Sequence, residues 1–414
     1  MSSCDRRLPL TTTLILIFIL FLSTLGDEVA LVAFIFKVES ASSSGFSISM
    51  LLAAQLIPGI LLGPISGQLI DRLETTRVLV IALILQGLLL CLLSTTDNIG
   101  LLLTGAAVLG SLFAVSGPAL FALLPIIVES SKSPLVTPAR ANTVMECIRG
   151  SGSLVGPVLG GILVAQSSTS TALLLDAATF LIAAPVIWFS GIRRRSLEEG
   201  KSEKFFDGAM AGIRILWQDS VLRVVLPVLT VIVFTTSLSD VAFIFFVRDP
   251  LKGGSIAYGV LVAVWGGGLI CGALAGGTPF FERRLELSAL AGAATIGVSM
   301  LLSGIFPILA VVAAVFVVGG MANGLHNVAV TTLLHKRVSE DLHGRVFAAY
   351  GALTDVAIMG GYLAASPFAA ESSRTVYLVS GALATGAGIL GAAVLATNSK
   401  NILIPARFAN RKLK

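Results

Sequence analysis

Residues 22–36 read Leu22-Ser-Thr-Leu-Gly26-Asp27-Glu28-Val-Ala-Leu-Val-Ala-Phe-Ile-Phe36, two carboxylates inside an otherwise apolar run. The pattern returns in the second half as Ser237-Leu-Ser-Asp240-Val-Ala-Phe-Ile-Phe-Phe246. A second echo accompanies it. Gly59, Gly63 and Gly67 stand four apart, and Gly268, Gly272 and Gly276 follow 209 residues later, a spacing expected to permit close helix packing in both spans. Apolar helices resemble one another by chance, so either match alone says little. Two matches at similar shifts and in one orientation point to a chain of two parallel halves.

The surroundings of these stretches place them in lipid. Of 414 residues, 55% are hydrophobic and 12% charged, with a mean hydropathy of +0.94. Soluble domains carry about 25% charged residues, and half that charge does not cover a soluble surface of this size. The composition excludes a cytosolic enzyme, a nucleic-acid binder and a disordered chain. A span takes about 20 residues, so twelve use roughly 240 and leave only short loops.

Twelve apolar segments are expected to be helical. The first six are Leu8–Phe36, Phe46–Ile70, Val78–Leu93, Leu101–Val128, Ala141–Ala165 and Thr171–Ile192. The second six are Val221–Val247, Ala257–Phe280, Leu287–Phe306, Ile308–Leu334, Val346–Ala369 and Val376–Thr397. The opening run is too long for the apolar region of a signal peptide and reads as an uncleaved span. The organisation is therefore an all-α membrane protein: a six-helix bundle at 1–192, a linker at 193–220, a second bundle at 221–397 and a basic tail at 398–414. In the linker, Phe205, Phe206, Met210, Ile213 and Trp217 recur at helical spacing. They read as an amphipathic helix on the membrane surface or as a tether between the halves.

Basic residues orient the map. With the N-terminus inside, cytoplasmic segments hold 23 of the 28 Lys and Arg, against four outside: Lys37, Arg248, Lys252 and Arg374. Arg149 falls within a span. This bias predicts a multi-pass protein of the cell membrane, bacterial inner or plasma, with both termini cytoplasmic and an even number of spans. Two parallel halves related by an axis along the membrane normal are a transporter architecture.

Two motifs stand out. After span two comes Gly67-Gln-Leu-Ile-Asp71-Arg72-Leu-Glu74-Thr75-Thr76-Arg77, opposite charges at a helix junction that suit a latch or simply fix topology. Span five holds Gly152-Ser-Leu-Val-Gly156-Pro157-Val-Leu-Gly160-Gly161. Glycines at this spacing make a flat face for close packing, and Pro157 removes one backbone hydrogen bond. The first stretch resembles motif A of the major facilitator superfamily, and the second resembles its motif C, which marks the antiporter branch. The resemblance covers the whole chain. Gly26-Asp27, Arg140-Ala-Asn142 and Leu342-His-Gly-Arg345-Val346 are similar to the third drug:proton antiporter family, which includes macrolide and siderophore exporters. The chain departs from motif A at Glu74, Thr75 and Thr76, leaving Arg77 from the basic cluster.

The resemblance implies two six-helix bundles around a midplane cavity lined by spans one and seven, with Gly67, Asp71, Arg72 and Arg77 as gating residues. Ionisable residues within spans are costly and mark function. Asp27 and Glu28 point about 100° apart on a helix, and Asp27 has Asp240 as its repeat counterpart. Both are expected in proton coupling. Glu146 and Arg149 share a helix face and read as a self-neutralising pair or a gate. Asp176 reads as a carboxylate at the start of span six. His326 and Asp355 are positioned to meet in the second half, with His326 either structural or titrating.

Gly200-Lys201-Ser202 lacks the first glycine of a P-loop, since position 195 is Arg. ATP is therefore excluded as the driving force. Cys4, Cys91, Cys147 and Cys271 form no paired motif, and neither metal nor cofactor is indicated. The expected partners are protons, lipid and a small-molecule substrate, with no nucleic acid, on a monomer. The expected function is proton-driven efflux of an amphipathic small molecule, drug-like or siderophore. The alternatives are an importer or uniporter of a nutrient or metal complex on the same fold, and a non-transporting receptor or scaffold.

Overall fold

A computed structural model describes residues 10–129, 138–192, 205–339 and 342–402. Every regular element among them is a helix. Uninterrupted apolar runs favour this, because a helix satisfies its own backbone where lipid offers no hydrogen-bond partner. The chain divides into two compact units, Met1–Lys201 with Val247–Ala263, and Ser202–Phe246 with Val264–Lys414.

The first unit contains α1 (Leu10–Ala41), α2 (Gly45–Arg72), α3 (Thr75–Ser94), α4 (Ile99–Glu129), α5 (Pro138–Gln166) and α6 (Thr169–Phe189). Helix α1 packs on α5 and α6, α3 packs on α4 and α6, and α2 packs on α4. Then come α7 (Phe205–Gln218), α8 (Leu222–Arg248), α9 (Ser255–Gly276), α10 (Pro279–Glu282), α11 (Leu285–Ile305), α12 (Leu309–Arg337), α13 (His343–Ala365) and α14 (Ser373–Ile402). In the second unit α11 packs against α12 and α14, and α7 lies on α13.

Eleven helices are long and apolar enough to span a membrane among the described residues. The remaining expected span lies in α5, whose first half carries Glu146 and Arg149 and whose apolar stretch is Gly150–Gln166. Local signals set the ends. Ser168 Oγ accepts the Thr171 N–H at 3.0 Å and starts α6. Asp219 Oδ1 accepts the N–H groups of Val221 and Leu222, both at 2.9 Å, and starts α8.

The amphipathic stretch of the linker forms α7. A Cβ at Gly212 would collide with the Arg345 carbonyl oxygen of α13, so the two helices touch backbone to backbone. Leu216 is buried beside Val346 and Ala349, while Arg214 and Trp217 face outward.

Two expectations are corrected. Lys37 is not a loop charge: α1 continues to Ala41, and the Lys37 side chain is 4% exposed. Its ammonium donates to Asp97 Oδ1 at 2.9 Å, Ser94 O at 3.3 Å and Ser170 Oγ at 3.2 Å, so three acceptors replace water. The glycines of α2 are not used alike either. Gly59 and Gly63 meet no atom within 4 Å, because α2 turns another face to α4, where Gly110 rests on the Gln55 backbone. Their counterparts Gly268 and Gly272 press on the Val317 and Met321 carbonyls of α12.

Candidate functional site

The glycine-proline stretch of α5 has two working faces. Gly152, Gly156 and Gly160 lie along α1. A Cβ at Gly152 would stand 3.1 Å from Thr24 Cγ2, one at Gly156 would overlap Glu28 Cβ, and one at Gly160 would stand 3.1 Å from the Val29 carbonyl oxygen. The pairs advance together, so α1 and α5 run in the same direction. Pro157 and Gly161 face residues 255–259 of the same unit. Ser255 Oγ donates to the Gly161 carbonyl at 2.8 Å, and Gly259 sits on the Pro157 carbonyl. Removing side chains from both faces lets α5 touch backbone on each side.

This packing places the carboxylates of α1. Glu28 accepts a hydrogen bond from Ser153 Oγ of α5 at 3.0 Å. Asp27 turns elsewhere, and its Oδ1 is buried with no hydrogen-bond partner. On α6, Asp176 is 2% exposed, and its Oδ1 occupies the space where any residue but glycine at position 26 would place a Cβ. Asp176 is thus not a helix-start carboxylate. Helix α6 begins at Thr169, and Asp176 lies seven residues further in, against α1. The signal for this was Ser168-Thr-Ser170, a capping cluster that allows an earlier start. Asp27 and Asp176 are close enough to interact electrostatically.

In the second unit Asp240 is exposed on α8 and interacts electrostatically with Tyr362 of α13. His326 is 1% exposed. Its Nδ1 lies 2.7 Å from the Ala289 carbonyl of α11 and therefore carries the proton, while Nε2 is buried without a partner. Asp355 is half-buried on α13, with no hydrogen bond or ion pair to His326. The two do not meet because His326 faces α11, where the absence of a side chain at Gly292 makes room for the His326 Cβ.

At the end of α2, the surroundings of Gly67 and the side chains of Asp71 and Arg72 lie outside the described residues, as do the side chains of Glu146 and Arg149 on α5. Arg77 pairs locally, its Nε 2.6 Å from Glu74 Oε2. Thr76 Oγ1 donates to the Ile192 carbonyl at 2.8 Å and ties α3 to the end of α6. Among the described residues no cluster of His, Cys, Asp and Glu could hold a metal ion.

The Major Facilitator Superfamily family model matches residues 16–362. The multidrug efflux pump Tap of Mycolicibacterium fortuitum is 26% identical over 379 residues, covering 88% of this chain and 90% of that one. Tap of Mycobacterium tuberculosis (strain ATCC 25618 / H37Rv) is 24% identical over 360 residues, 84% of each chain. Among solved structures, the nucleoside transporter NupG superposes with a TM-score of 0.72 at 13% identity, over 93% of this chain and 99% of that one.

Proposed function

We propose, since this chain belongs to the major facilitator superfamily, that it is a proton-driven exporter of amphipathic small molecules. It is a multi-pass membrane transporter and not an enzyme, with relatives named multidrug efflux pumps. The finer reading places it in a bacterial inner membrane, as a monomer with both termini in the cytoplasm, and retains Asp27 and Asp240 as the coupling acids.

The observation that supports coupling is the buried, unpartnered Asp27 Oδ1 on α1. An unpaired charge in the membrane interior costs at least a few kcal/mol. A protonated carboxyl tolerates apolar surroundings, whereas a carboxylate is drawn to water. The protonation state therefore biases which conformation is populated. Export follows if protons load from outside and leave inside while substrate moves the other way. The direction is supported by the α5 glycine-proline motif and by the names of the relatives.

The test uses inverted membrane vesicles and ethidium as an amphipathic probe. An acidic interior should drive ethidium accumulation, and Asp27→Asn and Asp240→Asn should abolish it while leaving folded protein in the membrane. Accumulation indifferent to the gradient would favour facilitated transport and end the antiport reading. Full gradient-driven accumulation by both variants would remove the two acids from the coupling step.

A further inference from the structure

We propose that Asp27 of α1 and Asp176 of α6 hold one proton between them, so that the coupling acid is a carboxyl pair and not Asp27 alone. The role in coupling rests on the antiport reading above; the shared proton is a separate claim about these two residues.

Asp176 is 2% exposed and sits on the bare Cα of Gly26, next in the chain to Asp27. Its one close side-chain neighbour among the described hydrogen bonds is Thr179. That hydroxyl lies 2.8 Å from the Asp176 main-chain carbonyl and 3.2 Å from Asp176 Oδ1. That hydroxyl donates to both oxygens as a three-centre bond, which leaves Asp176 as acceptor there. Across the helix interface, Asp27 Oδ1 is buried and bonded to nothing. Two acids in one helix interface, one of them with a buried oxygen that nothing fills, fit a pair that is not doubly ionised. Like charges at close range do not both ionise in an apolar setting.

No described cation relieves the pair. Lys37 lies ten residues along α1, about 15 Å away, and is held by Asp97, Ser94 and Ser170. From α5, Ser153 binds Glu28 rather than Asp27. Arg149 is one turn before Gly152, which lies level with Thr24, so its backbone lies level with a part of α1 that precedes Thr24. The described side chains of α2 and α4 include no ionisable group.

The experiment is an infrared titration of the carboxyl stretch on full-length protein in lipid nanodiscs, comparing wild type, Asp27→Asn and Asp176→Asn. Coupled acids titrate as a pair when they interact by more than about one pH unit. Wild type should lose the pair's protons in two steps, and in each variant the surviving acid should titrate in one step at least about one pH unit below the upper wild-type step. Should Asp176→Asn fail to fold, Asp176→Thr takes its place in the comparison. A variant whose surviving acid titrates at the upper wild-type step overturns the proposal. Displaced titration without gradient-driven ethidium uptake in the wild type upholds the pair and defeats the transport reading. Gradient-driven uptake with undisplaced titration does the reverse.

Discussion

A methyl group at Gly156 and one at Gly59 should have opposite consequences. Both positions lie inside helices, so replacing glycine by alanine gains about 0.5–1 kcal/mol of backbone entropy at each. That gain cancels when the two variants are compared. What remains is steric. At Gly59 a Cβ meets nothing within 4 Å. At Gly156 it overlaps Glu28 Cβ and lies 3.2 Å from the Leu25 carbonyl oxygen. Neither atom can rotate away, one being main chain and the other attached directly to it. Helices α1 and α5 must therefore part, loosening the Gly152–Thr24 and Gly160–Val29 contacts and the 3.0 Å bond from Ser153 to Glu28. Overpacking of this kind costs about 1–3 kcal/mol. The folded-to-unfolded ratio of Gly156→Ala should thus fall about 5- to 150-fold below that of Gly59→Ala. Denaturant unfolding in mixed micelles, followed by tryptophan fluorescence, measures the difference. Equal stability of the two variants would refute the argument that the α5 glycines exist for backbone contact.

The ion pair at Lys37 should respond asymmetrically. Asp97 is 87% exposed and Lys37 4%, so Lys37→Met leaves a carboxylate that water solvates, whereas Asp97→Asn leaves a buried ammonium without its counter-charge. Asp97→Asn should cost about 1–3 kcal/mol and Lys37→Met less, measured by the same unfolding assay. On α10, the Lys336 ammonium hydrogen-bonds Glu282 at 2.7 Å and holds its carboxyl below the ordinary range. A depressed acid stabilises the fold above its unfolded value, about 4.3, and loses that contribution as pH falls further. The small stability gap between wild type and Glu282→Gln should close on acidification below that range and also in high salt, since the pair is exposed. In the linker, Gly212→Leu should drive α7 off the Arg345 backbone and expose it to cleavage, read by the rate of limited proteolysis. A cleavage rate equal to wild type would show that α7 is not anchored there.

How far these features were legible follows from their physical range. The spans and the amphipathic α7 could be read directly, because hydropathy and 3.6-residue periodicity are properties of neighbouring residues. The α5 glycines were legible as a packing face, since only backbone contact makes such spacing useful. Their partners were not. That Gly156 meets Glu28, while Gly59 meets nothing, depends on the rotation of each helix about its axis. The Asp27 and Asp240 repeat was visible, but not that one Asp27 oxygen is buried without a partner while Asp240 is exposed.

Asp176 and Lys37 illustrate the boundary best. Read as a string, one begins a helix and the other lies in a loop, and both readings follow sound local rules. Composition and spacing alone established a helical, membrane-spanning chain with an aspartate in similar sequence surroundings in each half. Folding decided which acid faces which neighbour, where a buried ammonium finds three acceptors, and which glycines carry contact. These are matters of helix rotation and register, set by close packing between residues far apart in the chain.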